Sequence, residues 1–319
     1  MISTLLLGFA LGSAYAAPLK PGLVVTVAGP AGGYDYVVPD FRLDRIYAAH
    51  SRVGGLTVLD LKTNTAKDYA GPKCNGIWVD VKDNLIFSAG ADKKLVQWDR
   101  QTMEIKKTVD LTGPGDALAF DSKRRELYVD EDDGTNVFVF DPMTLELKAS
   151  VKIKEAPEWV QYDSGTDKVY QNIKSVNVMQ VVDPETHTVT KEYTLTGLTG
   201  PHGMAIDGKA KKAFSAGSNG KLVQIDLETG NVEATVDIAP HVDQICYDRK
   251  LGNIYCAGGG MISVVKFDGK TITSLGQVPA AKGVHTIAVD SKSHGVWVAY
   301  SDAKASYMAQ YVPTTMPAN

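Results

Sequence analysis

The sequence predicts an all-β fold, a seven-bladed β-propeller with four-stranded blades, and three observations predict it. The pattern D-x-x-T recurs in a regular series at Asp60, Asp99, Asp141, Asp183, Asp226 and Asp268, with spacings of 39, 42, 42, 43 and 42 residues. A second aspartate series, each member closing an apolar run, occurs seven times: Asp40, Asp80, Asp121, Asp163, Asp207, Asp248 and Asp290. No segment sustains a helical hydrophobic period. A fixed period near forty residues marks a repeat architecture. Four short strands per period without helices mark a propeller.

In chain order, residues 1–16 read as a signal peptide. Leu5 to Leu11 is apolar, and Ala14-Tyr15-Ala16 gives a small-x-small cleavage site. The apolar run is too short to span a bilayer, and no other segment is long and apolar enough. Residues 17–319 are therefore expected to form one secreted or periplasmic propeller domain. Leu23–Val27 is an isolated strand, and the repeats follow it. Each repeat has a strand ending in Asp, a turn, a second strand (Arg45–Ala48, Leu85–Ser88 and their equivalents), a third strand, D-x-x-T, and a fourth strand. Asp opening a turn accepts backbone N–H bonds, and Pro142 and Pro184 suit the next position of a type I turn. D-x-x-T is thus scaffold. The seventh repeat has a third strand at Ser306–Val312 but no D-x-x-T and no fourth strand. The N-terminal strand is expected to supply it, closing the ring and covering two sheet edges.

Net charge is −4, with no basic cluster, so nucleic-acid binding is not expected. Three cysteines, Cys74, Cys246 and Cys256, make no disulfide scaffold. Cys246 and Cys256 fall on paired strands, where register decides whether a bridge forms. A monomer is expected.

The blades resemble the YVTN-type propeller family. The second strands Leu127-Tyr128-Val129, Val169-Tyr170, Ile254-Tyr255 and Val296-Trp297-Val298, followed by the six D-x-x-T turns, carry the resemblance over nearly the whole mature chain. It implies the propeller fold in an extracellular or periplasmic protein. Related propellers include lactonases, lyases and pure binding modules, so it implies no single activity.

Candidate function comes from counting. The residue five positions before each first-strand aspartate is Asp35, Asn75, Asp116, Glu158, His202, Asp243 or His285. In a propeller these positions share one mouth of the central channel. All seven are polar, although apolar residues follow them. His241 and His50 fall in segments on the same face, so four of the six histidines converge there. Imidazole and carboxylate together suit a divalent metal (zinc, copper, manganese, iron or calcium), or general acid–base work. The expected metal ligands are His202, His241, Asp243 and His285. The expected catalytic groups are His202, His285 and Glu158. Asp35, Asn75, Asp116 and His50 are expected to bind a small-molecule or polysaccharide ligand. The bland reading is a wet channel mouth, where polar residues cost nothing. The activity expected of such a site is that of a lyase or hydrolase; the alternative is a non-catalytic extracellular binding module. The acidic run Asp130–Asp133 reads as a solvated loop, and Trp78 and Trp159 read as packing residues.

Overall fold

The computed structural model describes residues 17–315 and contains only strands and turns there. Residues 1–16, where a signal peptide is expected, lie outside the described residues. Among the described residues there are five four-stranded sheets and one eight-stranded sheet; the four strands of each of the first six repeats, and the three of the seventh, pair in sequence order. The first strands are Val37–Asp40, Gly76–Asp80, Gly115–Asp121, Pro157–Asp163, Pro201–Asp207, Val242–Asp248 and Ile287–Val289. In the eight-stranded sheet, Leu19–Ala28 pairs antiparallel with Ser306–Pro313 and meets the parallel strand Thr65–Tyr69 through Val27 and Ala28. The N-terminal strand is longer than its apolar run, because Leu19, Lys20 and Pro21 also find partners before an irregularity at Pro21/Val24.

The turns explain both aspartate series. Asp40, Asp60, Asp99, Asp121, Asp141 and Asp248 each accept two backbone N–H groups from the residues two and three positions on. The fourth residue after the aspartate then turns left-handed, as at Asp44, Asn64, Met103, Arg125, Leu145 and Gly252. This is a type I turn followed by a left-handed bulge residue, a standard connection between antiparallel strands. His187 and His294 hold this bulge position, with φ of 53° and 60°. That role accounts for two histidines that lie away from the mouth.

The core repeats with the same period. Each second strand carries one fully buried aromatic residue, Tyr47, Phe87, Tyr128, Tyr170, Phe214, Tyr255 or Trp297, at most 2% exposed. Burying each contributes about 2–3 kcal/mol. Apolar clusters lie between consecutive sheets, and one joins the last repeat to the first through Ala288, Trp297 and Met308 against Val37, Ile46 and Leu59. Register settles the cysteines. Cys256 faces Ile245, and Cys246 faces Tyr255. Neighbouring residues on a strand point to opposite faces, so Cys246 and Cys256 diverge, and all three thiols are free.

Candidate functional site

The first strands deliver their leading residues to one mouth of the channel. Close approach there dictates which residues follow. A side chain at Gly76 would lie 1.9 Å from the Asp116 carbonyl oxygen, and one at Gly203 would lie 2.6 Å from that of Asp243. Both obstacles are backbone, which cannot swing aside. Gly76→Ala is therefore expected to destabilise the protein by about 3 kcal/mol, at the upper end for overpacking. The check is a lower urea midpoint at unchanged slope.

Glu158, His202 and Asp243 come closest together, each offering one ligand atom within 4.8 Å of the others. His202 is oriented by its own loop. Its Nδ1 lies 2.7 Å from the Gly200 carbonyl oxygen. Gly200 is left-handed at φ 55° and is pinned by the Asn177 side chain. An Nδ1–H donated to that carbonyl leaves the Nε2 lone pair free. Nε2 lies 3.4 Å from Glu158 Oε1, while Lys174 Nζ lies 2.7 Å from Glu158 Oε2. The His202 carbonyl accepts from Asn172 Nδ2 at 2.7 Å.

The other ring members surround this group. Asp116 is buried, and Asp35 and Asn75 are half-buried. His285 lies outside the group of three: both its nitrogens face carbonyl oxygens, Nδ1 that of Gly283 at 2.7 Å and Nε2 that of Tyr34 at 2.9 Å. Its Nε2 is 3.9 Å from Asp243 Oδ2. His241 also lies outside the group. It is exposed, left-handed at φ 56°, and donates its N–H to the Ser218 carbonyl. His50 is fully buried. It stacks on Tyr34 at 4.4 Å, bonds Asp68 through Nδ1 at 3.2 Å, and sits so close to Gly32 that a side chain there would meet Nε2.

Three features of the site escape the counting. Asp130 is not in a solvated loop. It is wholly buried, its Oδ2 accepts from Gln171 Nε2 at 3.1 Å, and its Oδ1 has no partner. Tyr36 crosses the channel, stacking on Trp159 at 5.0 Å and donating to the Glu158 carbonyl. Gln244 spans between repeats: its Oε1 accepts from the Val37 and Ile287 backbone N–H groups, each at 3.0 Å. Tyr36 and Gln244 floor the acidic mouth. Trp78 and Trp159 are half-buried and line the channel beyond that floor, not only the packing between sheets.

Burial, and then the crowding of carboxyls, raises their proton affinity. Burial, then Asp243 and Glu158, raises Asp35 well above the usual carboxyl range. Burial, then Asp35 and Asp130, does the same to Asp116. Burial lifts Asp130 to about 8, against the Gln171 hydrogen bond. Burial also raises Glu158, although His202 and Lys174 oppose it. Asp130 thus keeps its proton at neutral pH, and the shifts of Asp35, Asp116 and Glu158 run in the same direction, toward the protonated form.

Residues 70–210 match the family model for glutamine cyclotransferase. That stretch carries Asn75, Asp116, Asp130, Glu158, Lys174 and His202, while Asp35, Asp243 and His285 lie outside it. The family matched is a propeller family other than the YVTN type. No curated protein matches the chain. Among solved structures, a chain of the crystal structure of the mitotic checkpoint complex superposes with a TM-score of 0.79, covering 98% of this chain and 97% of that one at 12% identity. A likeness at that identity shows the fold, a β-propeller, and no function.

Proposed function

We propose that the acidic mouth is the active site of an exported enzyme, and that Glu158, His202 and Asp243 hold one divalent metal there. The three convergent ligand atoms carry this reading. One imidazole and two carboxylates suit zinc or manganese, and the Gly200 carbonyl presets the tautomer a metal needs. A bound metal would polarise a carbonyl or activate a water. The chain's own part is to place the substrate against Asp35 and Asp116, whose burial favours the protonated form that could donate to a leaving group. Lys174 steadies Glu158. The activity proposed is hydrolysis or lysis of a small carbonyl or amide substrate, and His285 and His241 are proposed as outer groups of the same mouth. Export is proposed on the apolar Leu5–Leu11 stretch and its cleavage site. We read the eight-stranded sheet as two blades, seven in all, with the N-terminal strand completing the last. The antiparallel register from Leu19↔Pro313 to Thr26↔Tyr307 supports that count.

A second reading is metal-free acid–base chemistry at an amide. The match to glutamine cyclotransferase favours it, since the matched stretch contains Glu158 and Asp116. Glu158 would take a proton from the attacking group, and Asp116 would give one to the departing nitrogen. Elemental analysis of the tag-free protein after dialysis against a weak chelator separates the two. One equivalent of transition metal is expected. A metal-free protein that also takes up no added zinc or manganese would leave only the second reading.

A further inference from the structure

Beyond the floor made by Tyr36 and Gln244, the channel opens again. A cavity of about 310 Å³ lies mostly two to four residues further along the first strands, with Trp159 at its inner edge and Arg249 at its outer one. At 3.3 Å per residue that is roughly 7–13 Å from the acidic ring. Its character is opposite to that of the mouth. Its walls include Trp78, Trp159, Tyr162 and Tyr247, with the Gln161 amide and Arg249 as polar groups, and no carboxylate lines it. The two tyrosine hydroxyls are turned away and already bonded, Tyr162 to Asp167 and Tyr247 to Asp207, each at 3.0 Å. Tyr162 and Tyr247 therefore present ring surface to the cavity, as do the half-buried indoles.

Arg249 stands at the outer end. Its guanidinium lies 5.8 Å from the Tyr247 ring centroid and is anchored by the Ile206 carbonyl at 2.7 Å. Its nearest carboxylate, Asp207, is 3.7 Å away, and the other oxygen of that carboxylate already serves Tyr247. Past Arg249 and Tyr247 a second, open cavity of about 690 Å³ shares this wall and adds Lys209, Lys250 and Lys266, against Asp207 and Asp268. The carboxylate-free aromatic cavity thus opens toward Arg249 and three lysines, with Asp207 and Asp268 the carboxylates beside them.

We propose that this end of the channel is a second small-molecule site, which takes a planar aromatic ring bearing an anionic group. The ring lies among Trp78, Trp159 and Tyr247, where offset stacking adds to area burial. The anion points outward to Arg249, whose planar fork suits a carboxylate.

The probe is 1-naphthoate, titrated calorimetrically into the full mature protein beside neutral 1-naphthylmethanol and cationic 1-naphthylmethylammonium. One saturable site is expected, with the anion tightest and the cation weakest. Arg249→Gln should weaken naphthoate about tenfold, the worth of one charge-assisted hydrogen bond, and shift naphthylmethanol by less than about threefold. Trp159→Leu should weaken all three, and His202→Ala none. Urea midpoints of the variants distinguish lost binding from lost folding. The proposal is overturned by the absence of saturable naphthoate binding to the wild type, by a cation that binds as well as the anion, or by an Arg249→Gln variant that binds naphthoate like the wild type.

Discussion

A Glu158→Gln, His202→Ala double variant is expected to lose zinc and manganese binding by more than about 100-fold while keeping its fold. Two of the three convergent donors are removed, and a lone carboxylate from Asp243 cannot hold a transition metal against water. The scaffold should tolerate the change, because both side chains are partly solvated at the mouth and neither belongs to an apolar cluster. Direct titration with each metal reads the affinity, and a urea melt reads the fold. Two single variants sharpen the test. His241→Ala should bind metal within about twofold of wild type, because its side chain is exposed outside the group. His285→Ala should cost about tenfold, the usual penalty for losing an outer partner that steadies a ligand, here Asp243. Wild-type affinity in the double variant would remove the metal from this mouth and leave the acid–base reading.

The ring was legible in the sequence because a repeat carries depth as well as period. A fixed offset from the first-strand aspartate is a fixed distance down the channel, so Glu158, His202 and Asp243 could be named together without knowing any contact. The offset could not say which neighbours touch. His285 and His241 share the ring's neighbourhood, but the Tyr34 carbonyl engages one and a left-handed backbone turns the other outward. His50 carries the same chemistry, yet Gly32 lies over it.

The floor and Asp130 were readable with a finer count. One position after the ring stand Tyr36, Gly76, Ala117, Trp159, Gly203, Gln244 and Thr286. Small residues there leave room, and the large ones fill it. Two positions after each core aromatic stand Ala49, Ala89, Asp130, Asn172, Ala216, Ala257 and Ala299. Residues two apart on a strand share a face, so Asp130 and Asn172 are polar groups where the fold otherwise keeps alanine. The acidic neighbours of Asp130 disguised it, since a run of like charge ordinarily means solvent. Lys174 gave no such signal, because its pairing with Glu158 depends on loop geometry alone.

Asp130→Asn gives the other large effect, on the dependence of stability on pH. In the native state burial keeps the Asp130 proton up to about 8, whereas an unfolded aspartate releases it near 3.9. Between those values the unfolded chain binds fewer protons than the native one. Stability must therefore fall as pH rises through this window, by up to about 1.4 kcal/mol per unit for each such group. Asp35, Asp116 and Glu158 are raised too and push in the same direction. The metal-free wild type should be most stable near the acid end of the window and weaken toward pH 8. Asparagine keeps the shape and the neutrality of the protonated acid, so the variant should match wild type at the acid end. At pH 8 it should be more stable by a few kcal/mol, with a shallower slope of urea midpoint against pH. A divalent cation at Glu158, His202 and Asp243 offsets the same repulsion, so saturating zinc should recover part of that gain in the wild type and less of it in the variant. An unchanged slope in Asp130→Asn would mean that Asp130 titrates like a solvated carboxylate and that its burial plays no part in charging the mouth.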